Sequence, residues 1–191
     1  MPLPLSNVTN PLTCDDLWRI REASDERLEI IEGELFATPP STAIHQVILH
    51  RLAIVFDRAV GNPKLGQVLP AMLDVRLAND TVVQPDLMII LADRFKLFAE
   101  WGIDGSPSFL AEIVSAFSGV RDGAWKRDLY ARHGIPEYWL VDPEQRTMTV
   151  FSDSRDGHYQ TETISSDVAV SATIPGLSAD LKALFAPVPG L

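Results

Sequence analysis

The hydrophobic pattern changes period several times along the chain, and each change marks an element. Thr13-Cys14-Asp15-Asp16-Leu17 predicts the start of a short helix, with Thr13 as N-cap and two acids in the first turn, where the helix dipole favours them; it runs to about Ala23. Arg27 to Ile31 and Glu34 to Ala37 are β-prone runs around Glu32-Gly33, which predicts a hairpin. After the break at Thr38-Pro39-Pro40-Ser41, Ile44, Val47, Ile48, Leu52, Val55 and Phe56 recur at helical spacing. They predict a core helix capped by Ser41 or Thr42 and ended by Gly61-Asn62-Pro63. Residues 66–77 predict a strand, with Leu73, Val75 and Leu77 alternating against Asp74 and Arg76. The run from Thr81 to Leu91 is apolar on both faces, as a central strand covered on both sides is. Pro85 within it has no N–H for a ladder, so it is expected at an edge, at a bulge or where pairing stops.

A short helical piece and a Gly/Ser/Pro loop are expected over 92–107, then a strand from Phe109 to Ser115. A helix from about Gly119 to His133 follows, stopped by Gly134-Ile135-Pro136 in the usual order of glycine then proline. Tyr138 to Val141 reads as a buried strand, Thr147 to Phe151 as its return, and His158 to Ile164 as one more. Ala179 to Phe185 reads as a short C-terminal helix. Strands interrupted by two major helices predict an α/β (α+β) fold with a mixed central sheet. The 191 residues fit one domain, 1–191, made of an N-terminal helix and hairpin (1–40), a core (41–151) and a C-terminal strand and helix (152–191).

Composition narrows the classes. No apolar run reaches membrane-spanning length, and the N-terminal residues lack the basic and apolar regions of a signal peptide. Cys14 is the only cysteine, which excludes an intramolecular disulfide and a cysteine-based zinc site; together these features point to the cytoplasm and away from membranes. The net charge of −10 argues against avid duplex binding. Distribution matters more than the sum, however, and Arg121, Lys126, Arg127 and Arg132 outnumber Asp122 and Asp128 on the 119–133 helix.

Two acids sit inside apolar runs: Asp86 in Val82–Ile90 and Glu112 in Phe109–Val114. A carboxylate in such a strand is costly unless paired or bound to a cation. The simpler use of either acid alone is a strand-end residue or ion-pair partner, and of Lys126 a solvated helix residue paired with Asp122. Taken together, two strand acids and a lysine at i+4 from Asp122 match metal-dependent phosphodiester hydrolysis. That chemistry needs oxygen ligands on rigid elements and a cation near the phosphate. His45 and Glu34 are candidates to complete a metal shell, or His45 to contact a phosphate, and Gln84 to share the strand face of Asp86. Tyr130 packs in the core or bonds the site through its hydroxyl, core packing being the simpler use.

These same residues carry a resemblance. Pro85-Asp86, Glu112-Ile113-Val114-Ser115, Asp122 with Lys126 and Tyr130, and Gly134-Ile135-Pro136-Glu137-Tyr138-Trp139-Leu140-Val141-Asp142-Pro143 resemble the Uma family, restriction-endonuclease-like proteins of the PD-(D/E)XK nuclease superfamily. Leu28 to Leu35, Pro39-Pro40-Ser41 with His45, and Ile174-Pro175-Gly176-Leu177 extend it over most of the chain. The resemblance implies an αβββαβ core with an extra N-terminal hairpin, and a metal-dependent endonuclease acting on nucleic acid, DNA first. It implies magnesium or manganese on Asp86 and Glu112, and a homodimer for two-strand cutting. The superfamily usually carries its lysine two residues after the second acid, where this chain has Val114; the resemblance moves that role to Lys126. The alternative is a nuclease-like module that binds nucleic acid or a protein partner without cutting.

Overall fold

The structure, a computed structural model, describes residues 11–24, 26–38, 40–114 and 119–190, and for 119–124 the backbone alone. In chain order the elements are α1 (Cys14–Arg21), β1 (Leu28–Ile31), β2 (Glu34–Ala37), α2 (Ala43–Phe56), β3 (Gly66–Pro70), β4 (Asp74–Ala78), β5 (Thr81–Val83) and β6 (Leu87–Leu91). A 3₁₀ turn (Ala92–Leu97) leads to β7 (Phe98–Ala99), β8 (Gly102–Asp104), β9 (Phe109–Ile113), α3 (Gly119–Arg132), β10 (Glu137–Asp142), β11 (Thr147–Arg155) and β12 (His158–Ser165). The small strands β13 (Val168–Val170) and β14 (Ser178–Asp180) and the helix α4 (Leu181–Leu184) complete the chain.

Two six-stranded sheets hold β1 to β12, and β13 and β14 pair as a small third sheet. The central one runs β12-β11-β10-β9-β6-β3; β9 and β10 are parallel and its other pairs antiparallel, so the sheet is mixed. The other runs β2-β1-β5-β4-β8-β7 and begins with the N-terminal hairpin. That hairpin turns on Glu32 and Gly33 with φ of 52° and 82°, the left-handed pair of a two-residue turn. In sequence, α2, β3, β6, β9, α3 and β10 give the expected αβββαβ order, with β4 and β5 diverted into the second sheet.

Strand alternation sorts the side chains into layers. On β9, Phe109, Ala111 and Ile113 face α2 and α4, packing with Leu52, Phe56, Trp139 and Leu184. The opposite face sets Met88, Ile90, Leu110 and Tyr138 against Val75, Val83 and Ile103 of the second sheet and Leu129 and Tyr130 of α3. A third core lies under α1, where Cys14 and Leu17 meet Leu28, Ile30 and Val82. Each such large side chain taken out of water contributes about 1.5–3 kcal/mol. Glu137, fully buried on β10, fastens the 171–173 segment: its carboxylate accepts from Trp139 Nε1 at 2.6 Å, Ser171 Oγ at 2.8 Å, Thr173 Oγ1 at 2.6 Å and the Thr173 and Ala172 N–H groups at 2.8 and 3.3 Å.

Two expected strands are not single strands. Residues 66–77 split at 71–73 into β3 and β4, which pair in different sheets. The run Thr81 to Leu91 likewise splits into β5 and β6, with Gln84-Pro85-Asp86 carrying the chain from one sheet to the other. Pro85 sits where pairing stops, since it has no N–H to continue a ladder. The C-terminal helix is shorter than expected, because Ser178–Asp180 pairs with Val168–Val170 before it begins. Among the described residues no helix is long and apolar enough to cross a membrane.

Candidate active site at the seam of the two sheets

Asp86 stands immediately before β6, at the step between the sheets. Its Oδ2 accepts the Ile113 N–H from β9 at 2.9 Å, and its carbonyl accepts the Ala71 N–H at 2.7 Å. The antiparallel register pairs Leu87 with Ala111, so its continuation sets Asp86 beside Glu112. Glu112 alternates with Ala111 and Ile113 and therefore faces α3 and the second sheet. Both acids are buried, at 5% and 8% exposure.

Three further elements bring the groups that balance them. From α3, Lys126 Nζ lies 2.9 Å from Glu112 Oε1 and 3.7 Å from Glu29 Oε2. Tyr130, one turn further on, donates its hydroxyl to the same Glu112 oxygen at 2.7 Å, since residues four apart share a helix face. From β1, Glu29 is buried, with Oε1 accepting the Gln84 N–H at 2.5 Å and Oε2 the Thr38 hydroxyl at 3.3 Å. From the first turn of α2, His45 puts Nε2 3.2 Å from Asp86 Oδ1. That approach is a charge contact, and neither nitrogen of this buried imidazole makes a hydrogen bond among the described residues.

Electrostatics separate the two acids. Burial works to raise Asp86, but His45, the Ile113 N–H and Lys126 outweigh it and hold the carboxyl below the ordinary aspartate value. Burial pushes Glu112 up to about 7; the charges of Asp86 and Glu29 add to it and Lys126 opposes it. Burial and then the Glu112 charge raise Tyr130 well above its ordinary value, which keeps its hydroxyl a donor.

The structure thus gathers Asp86, Glu112, Lys126 and His45. Gln84 is tied in through its backbone N–H, while its side chain turns to Asp74 at 2.8 Å and to Arg27 at 3.0 Å. Glu34 is exposed at the start of β2, opposite Ile31, and no described contact joins it to the cluster. Ser115 and the side chain of Asp122 lie outside the described residues. Glu29 joins the cluster from outside the sequence candidates, although Leu28-Glu29-Ile30-Ile31 carries the same signal as the other two acids, a carboxylate in an apolar run. Tyr130 fills both of its readings at once, fully buried and bonded to Glu112.

Among the described residues no group of three or more His, Cys, Asp or Glu side chains is set to enclose a metal ion. A magnesium or manganese site for phosphoryl chemistry takes only one or two carboxylates and leaves its other positions to water and substrate. Two adjoining buried carboxylates and an unsatisfied imidazole nitrogen fit such an open site. A groove of about 520 Å³, lined in part by Arg27, Thr38, Ser41 and Met72, lies beside the cluster; its Arg27 donates to Gln84 and its Thr38 to Glu29.

No curated protein matches the chain. Among solved structures it is similar to a crystal structure described as a putative nuclease belonging to DUF820, from Anabaena variabilis, at TM-score 0.76 and 21% identity, covering 92% of this chain and 98% of that one. At that identity the likeness speaks for the fold, a mixed α/β architecture common to both. A DrdV–DNA complex is similar over 75% of this chain and 14% of that one, with TM-score 0.35 and 12% identity, too slight a likeness to bear on the site. A family model matches residues 14–182, nearly the whole described chain and every acid of the cluster, and the chain therefore belongs to the Uma2 family, described as "Putative restriction endonuclease".

Proposed function

We propose that this chain is a divalent-metal-dependent nuclease that hydrolyses nucleic-acid phosphodiester bonds, DNA first among them. One observation carries the reading: Asp86, Glu112 and Lys126, drawn from separate segments, form one buried charge cluster with a lysine 2.9 Å from the second acid. Family membership supports the same class of chemistry. A lysine role for Lys126 in place of position 114, which is valine, is supported by the 2.9 Å approach of its ammonium to Glu112.

Asp86 and Glu112 are the residues that would hold magnesium or manganese. When bound, such an ion lowers the pKa of water and offsets phosphate charge. Lys126 would add fixed positive charge where the phosphoryl oxygens carry negative charge during attack. Tyr130 fixes the Glu112 carboxylate by its hydroxyl, and Glu29 shares Lys126 with Glu112. The groove beside the cluster carries Arg27 and Glu26 on its wall. A homodimer would present two such sites to a duplex.

The test is cleavage of plasmid, single-stranded DNA and RNA with magnesium, manganese or EDTA. Asp86→Ala and Glu112→Ala should each lose roughly a hundredfold or more in rate while keeping the fold. Two variants that cut as well as wild type would place the site elsewhere. The net charge of −10 favours a second reading, a nuclease-like module that binds without cutting. That reading requires metal-independent binding of nucleic acid or a protein and no cleavage of any substrate.

A further inference from the structure

His45 is a buried histidine whose ring nitrogens make no hydrogen bond among the described residues, Nε2 having only the Asp86 carboxylate beside it, a costly condition in a folded interior. Its placement is built in. Thr42 Oγ1 accepts the His45 N–H at 3.2 Å at the head of α2, and Ile48, Leu49 and Leu52 bury the turns that follow. The helix delivers Nε2 to 3.2 Å from Asp86 Oδ1, yet the two do not form a hydrogen bond. A hydrogen-bonded pair at this distance aligns its donor. Two neighbouring ligands of one cation do not, and their spacing follows from the bond lengths. Ligands about 2.1–2.2 Å from an ion and at right angles lie about 3.0–3.1 Å apart. The pair therefore has close to the separation of cis ligands.

We infer that His45 Nε2 is a nitrogen ligand of a cation shared with Asp86, and that the site is thereby matched to a first-row transition ion such as manganese rather than to magnesium. Magnesium prefers oxygen ligands and holds its waters, whereas imidazole suits the transition ions. The inference rests on the proposed nuclease reading only in that the same reading puts a cation on Asp86. It adds a donor of different chemistry and a preference among ions.

The experiment is done on the full chain without nucleic acid. Electron spin-echo spectroscopy of the manganese-loaded protein reads nitrogen coupling to the ion directly. Calorimetry then compares manganese and magnesium binding to wild type, His45→Gln and Asp86→Asn. We expect nitrogen coupling in wild type and its loss in His45→Gln. Manganese affinity should fall by about tenfold or more in that variant, while magnesium affinity changes by less than about threefold. Manganese bound without nitrogen coupling, or bound equally well by His45→Gln, overturns the inference and leaves the acid pair standing. If wild type binds no manganese, the cation reading of Asp86 falls together with it. The spectroscopic arm uses wild type alone, so it stands even where a variant folds poorly.

Discussion

Glu112 gives the sharpest test of the electrostatics, because burial raises its carboxyl from an ordinary 4.5 to about 7. Between those values the folded chain keeps a proton that the unfolded chain has lost. Folding is thus favoured at the acid end, and that contribution disappears as pH rises through about 7. From about pH 5.5 to about pH 8 the loss from this one group is about 2 kcal/mol. Glu112→Gln has no proton to lose and still offers an amide oxygen to Tyr130. Urea unfolding of both proteins in EDTA, at several pH values across that range, isolates the term as the difference between their stabilities. Wild type should lose about 2 kcal/mol relative to the variant on going to the alkaline end. Manganese should recover part of that loss if the ionised carboxylate is a ligand. Parallel pH profiles for the two proteins would show that the Glu112 proton does not leave in this window, and would refute the picture of a carboxylate strained by burial.

Tyr130→Phe removes one donor to Glu112 and should cost about 1–2 kcal/mol in urea unfolding, while moving the Glu112 transition to higher pH in the same series. Glu137→Ala strands five donors around a buried site and should cost about 3 kcal/mol or more by the same measurement, with early hydrogen exchange at 171–173. Gly33→Ala puts a Cβ 2.4 Å from that of Pro11 at φ 82°, and should lower stability by about 1–3 kcal/mol, read as a lower melting temperature.

Local chemistry made much of the fold legible. The hairpin turn, the helix stripe from Ile44 to Phe56 and the Gly134-Ile135-Pro136 stop each act over a few residues, and each element lies where its signal does. The sheet switch at Gln84-Pro85-Asp86 did not show. An apolar run covered on both faces looks the same whether it stays in one sheet or passes into another. Of the site, the acids and lysine were visible as charges out of place in apolar or helical patterns. Glu29 is equally visible as an acid in an apolar run, but its partner Lys126 lies far along the chain, and pairing at that range leaves no trace in local spacing. The orientation of His45 relative to Asp86 depends on how α2 docks, which only the packed structure defines.

The step at Gln84-Pro85-Asp86 also bears on how this protein should age and tire. Val82 belongs to the core under α1, Val83 to the core between the sheets, and Leu87 to the core under α2, so three separately packed bodies meet within one short stretch. Asp86 is their common corner. Loosening any one of them strains that corner, because packed interiors transmit strain instead of absorbing it. The acid pair is therefore the alignment mark of the whole assembly, and warming or damage should blunt it while the strands around it still hold.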